Sequence, residues 1–333
     1  MASLGRYIVR RLIQGLLTLF IVTIIIFLLW KAQPGSPLDG LRGNPTIPKQ
    51  TIAYVASEYG LNDPFWIQMY KYIVNMFTFQ FGESITGVPV ISIIQQALPR
   101  TLLLFGGAVV IEYMLGILVG RYIAWKRGSA VEGGVIMTSL FFFNMPSFWI
   151  GLILLYIFAF TIPIFDLGHF QDASFVLKHY PWAGTDPSSL WFQFVDVASH
   201  AVLPMLTLVL ISSAGTILLM QTSMLEVMGE DFILTAKAKG LSERIVRKRH
   251  AARNAYLPVV TSIVIALGFV VGGAIILEQI FSYFGMGYYL LTSIETQDRF
   301  LAGAILFMIS LLVIAGNIVA DILYGVLDPR VRI

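Results

Sequence analysis

The stretch Glu226-Val-Met-Gly-Glu-Asp-Phe-Ile-Leu-Thr-Ala-Lys-Ala-Lys-Gly-Leu-Ser-Glu-Arg-Ile-Val-Arg-Lys-Arg-His-Ala-Ala-Arg-Asn-Ala-Tyr-Leu-Pro258 decides how this chain is read. It is charged and helix-forming, and apolar stretches precede and follow it. A polar segment held between two lipid-compatible ones must sit in water, where a soluble partner can grip it. Within it, Asp231–Lys239 predicts a helix. Glu230 and Asp231 stand at its start and Lys237 and Lys239 at its end, complementing the helix dipole. Gly240 supplies the following residue that can take a positive φ. Ser242 is placed to cap a second helix, with Glu243 and Arg247 paired at i, i+4. The expectation is helix–Gly–helix, with the small residues Thr235, Ala236, Ala238 and Gly240 suited to insertion into a surface groove. The alternative is a solvated basic loop resting on anionic lipid. Seven basic and four acidic residues in the stretch do not separate the two.

Around this island the chain is lipid-like. Of 333 residues, 57% are hydrophobic and 12% charged, against about 25% charged in a soluble domain. Several apolar runs reach the length of a membrane-spanning helix, so the expected class is an all-α integral membrane protein. A net charge of +3 does not imply nucleic acid as a partner. The absence of cysteine excludes disulfides, thiolate metal sites and a cysteine nucleophile. The four histidines, His169, His179, His200 and His250, are not at metal-ligand spacing, and no metal site is expected. No G-x-x-x-x-G-K-[ST] is present, so this chain offers no P-loop to ATP.

Arg6, Arg10 and Arg11 precede an apolar run from Leu12 to Trp30. The run is long for a signal peptide and Lys31-Ala-Gln-Pro34 is a poor cleavage site, so a retained first span is expected. About six spans fit the hydropathy: Arg11–Trp30, Leu98–Trp125, Gly133–Ile162, His200–Met224, Leu257–Phe281 and Phe300–Leu327. The third and sixth exceed a bilayer core and should tilt or extend into water. With these spans, fifteen of the 22 Lys and Arg fall on the side of the charged island and seven on the other. The positive-inside rule then places both termini and the island, residues 225–256, in the cytoplasm of a multi-pass plasma-membrane protein. The expected organisation is a first region 1–30, an extracellular domain 31–97, a five-helix core 98–327 with an outer loop 163–199, and a cytoplasmic tail 328–333. Pro64–Phe81, rich in aromatics, reads as a helix lying at the membrane interface.

Charged residues within spans are candidates for function. Glu112 lies near the middle of span two. It is either a neutral, protonated packing group bonded to a neighbouring helix carbonyl or part of a translocation path. Glu278 lies near the outer end of span five, followed by the Gly285/Gly287 loop. Asp321 is expected to pair with an arginine near the inner end of span six. Gly268, Gly272 and Gly273 with Ala266 and Ala274 form a small-residue face suited to close helix approach. Phe141-Phe-Phe-Asn-Met-Pro-Ser-Phe-Trp149 reads as lipid and core packing around a kink at Pro146.

The run Glu230–Arg244, with Arg249-His-Ala-Ala-Arg-Asn-Ala-Tyr-Leu-Pro258, resembles the coupling loop of ABC-importer permeases of the dipeptide/oligopeptide (DppB/OppB-type) family. The likeness continues in Arg6-Tyr-Ile-Val-Arg-Arg-Leu12, Gly60-Leu-Asn-Asp-Pro64, Leu98-Pro-Arg-Thr-Leu102, Pro146-Ser-Phe-Trp149, His200-Ala-Val-Leu-Pro204 and Phe281-Ser-Tyr-Phe-Gly-Met-Gly287. Leu234-Thr-Ala236 stands where the general permease pattern has E-A-A, and its Leu-Pro comes later, at Leu257-Pro258. The resemblance implies a type I ABC-importer permease fold and no chemical step on this chain. It implies a second homologous permease, two ATPase subunits that bind ATP and Mg, an extracellular substrate-binding protein, and membrane lipid around them. It makes Glu230, Asp231, Thr235, Ala236, Lys237, Ala238, Lys239, Gly240, Leu241 and Ser242 the ATPase-coupling residues, and it puts Glu278 near the outer gate as a candidate gate contact. The implied cargo is di- or oligopeptide. The outer loop with Trp182 and Trp191 is similar to that of members assigned to β-linked oligosaccharides, which keeps that cargo open. A secondary transporter would need paired ionisable groups at the midplane. A membrane scaffold would not need the helix–Gly–helix loop.

Overall fold

The structure is a computed structural model that describes residues 4–36, 38–43, 45, 47–58, 60–269 and 275–327. Among these, all regular structure is helical apart from one isolated β-bridge, Glu83 to Pro89. In chain order the helices are α1 (Leu4–Ala32), α2 (Asp39–Gly43), α3 (Lys49–Glu58), α4 (Phe65–Phe77), α5 (Val90–Trp125), α6 (Ala130–Phe143), α7 (Ser147–Leu155) and α8 (Ala173–His179). They continue with α9 (Leu190–Met228), α10 (Asp231–Ala238), α11 (Glu243–Ile245), α12 (Ala252–Phe269), α13 (Ile275–Ile280), α14 (Met286–Glu295) and α15 (Arg299–Leu327). The chain divides into two compact units, residues 1–103 with 268–333 and residues 104–267.

In the first unit α1 lies along α15. Gly15 brings the backbones together: a Cβ there would stand 2.8 Å from Ile318 Cδ1 and 2.9 Å from Ile314 Cγ2. At one end of this pair Arg11 Nε meets Asp321 Oδ2 at 3.2 Å, as expected for Asp321. At the other, α4 closes over the core, with Phe77 against Phe307 at 5.5 Å between ring centres. Tyr72 and Met76 of α4 are buried with Phe27, Phe81 and Ile305. Trp66 and Tyr70, on the opposite face of α4, are exposed, which matches the amphipathic pattern expected of an interfacial helix. Asp298 fastens the chain before α5 to the start of α15. Its carboxylate accepts from Ser84 Oγ at 2.5 Å and the Ile85 amide at 3.0 Å.

In the second unit α5 and α9 cross closely. Cβ atoms at Gly116 and Gly120 would come 2.4 Å from Thr216 Cγ2 and 2.5 Å from the Ile217 carbonyl oxygen. Gly116-Ile-Leu-Val-Gly120 is thus a G-x-x-x-G contact face. Two side chains cap the start of α6. Ser129 Oγ accepts from the Glu132 amide at 3.3 Å, and Glu132 Oε2 accepts from the Gly128 amide at 2.5 Å.

Four described helices, α1, α5, α9 and α15, are long and apolar enough to cross a membrane, and a fifth crossing arises if α6 and α7 count as one. The expected third span, Gly133–Ile162, is not one tilted helix. It bends by 98° between Phe143 and Ser147. The Asn144 side chain donates to the Leu140 carbonyl at 2.7 Å and ends α6. Pro146, with no amide to continue the ladder, becomes the residue from which α7 starts. The expected fifth span, Leu257–Phe281, runs as α12 to Phe269 and resumes as α13. Residues 270–274, and with them Gly272, Gly273 and Ala274 of the small-residue face, lie outside the described residues, as does the tail 328–333. Helices also outrun the hydropathy: α5 begins at Val90 rather than Leu98, and α9 at Leu190 rather than His200. Those added turns bury Val90, Ile94, Phe192 and Val195 against protein.

Candidate functional site

The charged island folds as a hairpin of helices docked on the second unit. α10 is amphipathic: Ile233 and Ala236 are buried, packed with Val246, Met220, Met224 and Ala255. Gly240 has φ +74°, the positive value expected of it. Its amide donates to the Lys237 carbonyl at 2.9 Å and that of Leu241 to the Ala236 carbonyl at 3.4 Å, closing the last turn of α10. No heavy atom lies within 4 Å of where a Gly240 Cβ would be, so only the backbone demands glycine there. The second helix differs from the regular one expected. Ser242 starts α11 with backbone carbonyl bonds and no side-chain cap, and α11 passes through a π-helical turn, Val246–Ala251, into α12. The extra residue of the π turn keeps both Val246 and Ala251 facing the core. Among the described residues no ion pair joins Glu243 to Arg247. The Arg247 guanidinium lies over the Trp125 ring, 5.6 Å from its centre.

The candidate coupling residues therefore divide. Ala236 points inward and anchors the loop. Glu230, Asp231, Thr235, Lys237, Ala238, Lys239, Gly240 and Ser242 are exposed, and Leu241 is half-buried. The same surface carries residues that sequence reasoning passed over. Leu234 is 58% exposed, Phe232 40% and Ile245 42%, apolar side chains facing away from the loop's own core. Their signal was the helical spacing: Ile233 and Ala236 use one face, leaving 232 and 234 no core to enter.

The two carboxylates sit in different settings. Glu112 is half-buried on α5 and accepts a 2.7 Å hydrogen bond from Thr216 Oγ1 of α9, at the level of Gly116. Glu278 is fully buried on α13. Its Oε1 accepts from Thr101 Oγ1 at 2.7 Å and its Oε2 from the Tyr288 amide at 2.9 Å. Thr101 Oγ1 in turn accepts from the Met286 amide at 2.7 Å. The carboxylate is cradled by glycines: a Cβ at Gly285 would fall 2.5 Å from both Glu278 oxygens, and one at Gly287 3.1 Å from Oε2. Phe281-Ser-Tyr-Phe-Gly-Met-Gly287 is thus a loop wrapped on a buried acid that ties α13, α14 and the start of α5.

A third cluster was not foreseen. His200 is buried between two acids, with Nε2 3.1 Å from Asp166 Oδ2 and Nδ1 3.2 Å from Asp196 Oδ1. Asp196 Oδ1 also accepts from the Asp172 amide at 2.9 Å, so the cluster straps residues 166–172 to α9. Beyond it, the Ser174 hydroxyl and amide and the Phe175 amide hold the half-buried Asp172 carboxyl below its ordinary range, as the N-cap of α8. Among the described residues no group of His, Asp and Glu is arranged to hold a metal ion.

Residues 113–333 match the model of the binding-protein-dependent transport system inner membrane component, and residues 4–104 that of the N-terminal part of such membrane components. The chain belongs to this family. Among similar proteins, the oligopeptide transport system permease protein AppB of Bacillus subtilis (strain 168) is 34% identical over 99% of this chain and 100% of its own length. The di/tripeptide transport system permease protein DppB of Pseudomonas aeruginosa (strain UCBPP-PA14) is 34% identical, and the dipeptide transport system permease protein DppB of Escherichia coli (strain K12) 32%, each over 98% of both chains. The membership makes this an ABC-importer permease subunit of type I construction.

Proposed function

We propose that this chain is one of two permease subunits of an ATP-driven importer of di- and oligopeptides. A homologous second permease, two ATPase subunits carrying ATP and Mg, and an extracellular peptide-binding protein complete the machine. Both termini and residues 225–256 lie in the cytoplasm, and the segment 31–97 and the loop 163–199 lie outside. The observation that carries the reading is similarity along nearly the whole chain to permeases named for peptides in three different organisms. The loop geometry fits the role. Residues 230–242 stand on a buried anchor, Ile233 and Ala236, and present Phe232, Leu234 and the turn at Gly240 to a cleft on an ATPase. A rigid α10 then transmits ATPase closure to α5, α9 and α12 through the core that contains Met220, Met224 and Val246. A buried Glu278 loop and the Glu112–Thr216 bond hold the helices that must move together.

The test is purification of the tagged chain from its native membrane, identification of its companions by mass spectrometry, and reconstitution in liposomes. ATP-dependent uptake of labelled di- and oligopeptides is expected. Uptake of β-linked oligosaccharides without peptide uptake would overturn the assignment of cargo. Leu234→Asp should detach the ATPases and leave the membrane subunits together; a complex that keeps its ATPases would remove residues 230–242 from the interface.

A further inference from the structure

The first unit contains a cavity of about 320 Å³ where α1, the following loop, α4 and the start of α15 meet. Its charge is one-sided. Lys31, Arg42 and Arg299 line it, and among the described residues no Asp or Glu does. Lys31 Nζ donates to the neutral Gln68 Oε1 at 2.8 Å. The Arg299 guanidinium donates to the carbonyls of Trp30, Pro34 and Gly35, so it is held in place without being neutralised. Asp39 stands beside two of these cations: its Oδ1 pairs with Arg42 at 3.5 Å in an exposed pair of the weak kind, and its Oδ2, already accepting from the Ser36 amide at 2.6 Å, flanks Gly35 together with Arg299 Nη2.

Two donors in the lining also lack hydrogen-bond partners. Trp30 Nε1 and the Tyr72 hydroxyl are both buried from water. They converge over Gly303, where a Cβ would stand 3.0 Å from one and 2.9 Å from the other. They face each other without hydrogen-bond geometry. Buried donors left this way are costly unless something fills them. The rest of the wall, with Phe27, Leu38 and Phe300, is apolar. Position supplies the last constraint. Trp30 and Lys31 end the apolar run of α1, and exposed Trp66 and Tyr70 stand on the adjacent α4. Aromatic and lysine side chains collect in this way at headgroup depth.

We propose that this cavity binds a phosphate-bearing anion, supplied by the headgroup of an anionic phospholipid. Lys31 and Arg42 face the phosphate, Arg299 fixes the floor, Trp30 Nε1 and the Tyr72 hydroxyl donate to its oxygens, and the apolar wall takes the glycerol and first acyl carbons. The site is separate from residues 230–242 and independent of which solute the machine imports.

The test uses the full chain in two arms, one with phosphatidylglycerol nanodiscs against phosphatidylcholine nanodiscs, the other with inorganic phosphate alone, read by native mass spectrometry of retained ligand. Wild type should retain phosphatidylglycerol over phosphatidylcholine. The exposed double substitution Lys31→Gln/Arg42→Gln should weaken that retention by about tenfold or more, the loss expected for two charge-assisted contacts. Tyr72→Phe, which keeps shape and removes one donor, should weaken it less and leave the fold intact by thermal unfolding. Binding in the lipid arm alone supports the headgroup. Saturable binding of inorganic phosphate, lost in the same variants, supports the anion site and overturns lipid as its source. Equal retention of both lipids, or retention unaltered in the double variant, overturns the proposal.

Discussion

The turn at Gly240 is set by one backbone angle. At φ +74° with open space around it, the position resists a side chain only through its backbone. A β-branched residue there costs about 1 kcal/mol or more, because its Cβ meets the following carbonyl. Asparagine tolerates the same region. Gly240→Val is therefore expected to loosen the end of α10 and cut ATP-driven uptake severalfold, while Gly240→Asn stays near wild type; equal uptake by both, at matched membrane levels, would show that the turn is not needed. Glu112 poses the converse question. Its hydrogen bond from Thr216 Oγ1 accounts for the carboxylate as a packed acceptor. Glutamine can accept the same bond but cannot ionise. Glu112→Gln is expected to leave both uptake and its dependence on pH superimposable on wild type. A shifted pH profile would instead put the carboxylate on the translocation path.

At the scale of elements, the α5–α9 crossing is the joint most exposed to test. Gly120 faces a backbone oxygen, Ile217 O at 2.5 Å from its would-be Cβ, and a carbonyl cannot turn aside as a long side chain can. Gly120→Ala should cost about 1–3 kcal/mol of overpacking. It should lower the thermal midpoint of the detergent-purified protein, whereas alanine at the open Gly106, elsewhere on α5, should not. The contrast also shows which elements a sequence can disclose. Long apolar helices, the Asp321 partner and the positive φ of Gly240 were legible because each is a local matter of hydropathy, charge or one dihedral. The 98° break after α6 was legible only as a kink, because its size depends on what α7 packs against. The caps at Ser129 and Glu132 were written in the sequence but hidden inside a hydropathy boundary drawn at Gly133. The His200 strap was not legible at all. Asp166, Asp172 and Asp196 are separated along the chain, and only folding makes them neighbours. The inward face of Ala236 likewise needed the core beneath it to be seen.

For the molecule as a whole, the open question is which side of the membrane each surface meets. Basic residues divide fifteen to seven between the two sets of aqueous segments, and an excess of this kind orients membrane proteins through their short loops. That argument is independent of the family, and it agrees with the proposal that residues 230–242 dock on an ATPase, since ATP is a cytoplasmic substrate. The chain has no cysteine, so single introduced thiols report cleanly without a background to remove. Gln50, Ser188 and Ser242 are exposed positions on α3, in the loop before α9 and in the turn after α10. In intact cells, Gln50→Cys and Ser188→Cys should react with a membrane-impermeant maleimide, and Ser242→Cys should react only after the membrane is opened. The reverse pattern would invert the orientation and remove the ATPase from residues 230–242. Labelling of Gln50→Cys and Ser242→Cys from the same side would instead change the number of crossings between them. The described helices α5, α9 and the bent pair α6–α7 leave that number open only through how the 98° bend is seated: two crossings or none by α6 and α7 preserve the sidedness of Ser242 relative to Ser188, because α9 alone lies between those two positions.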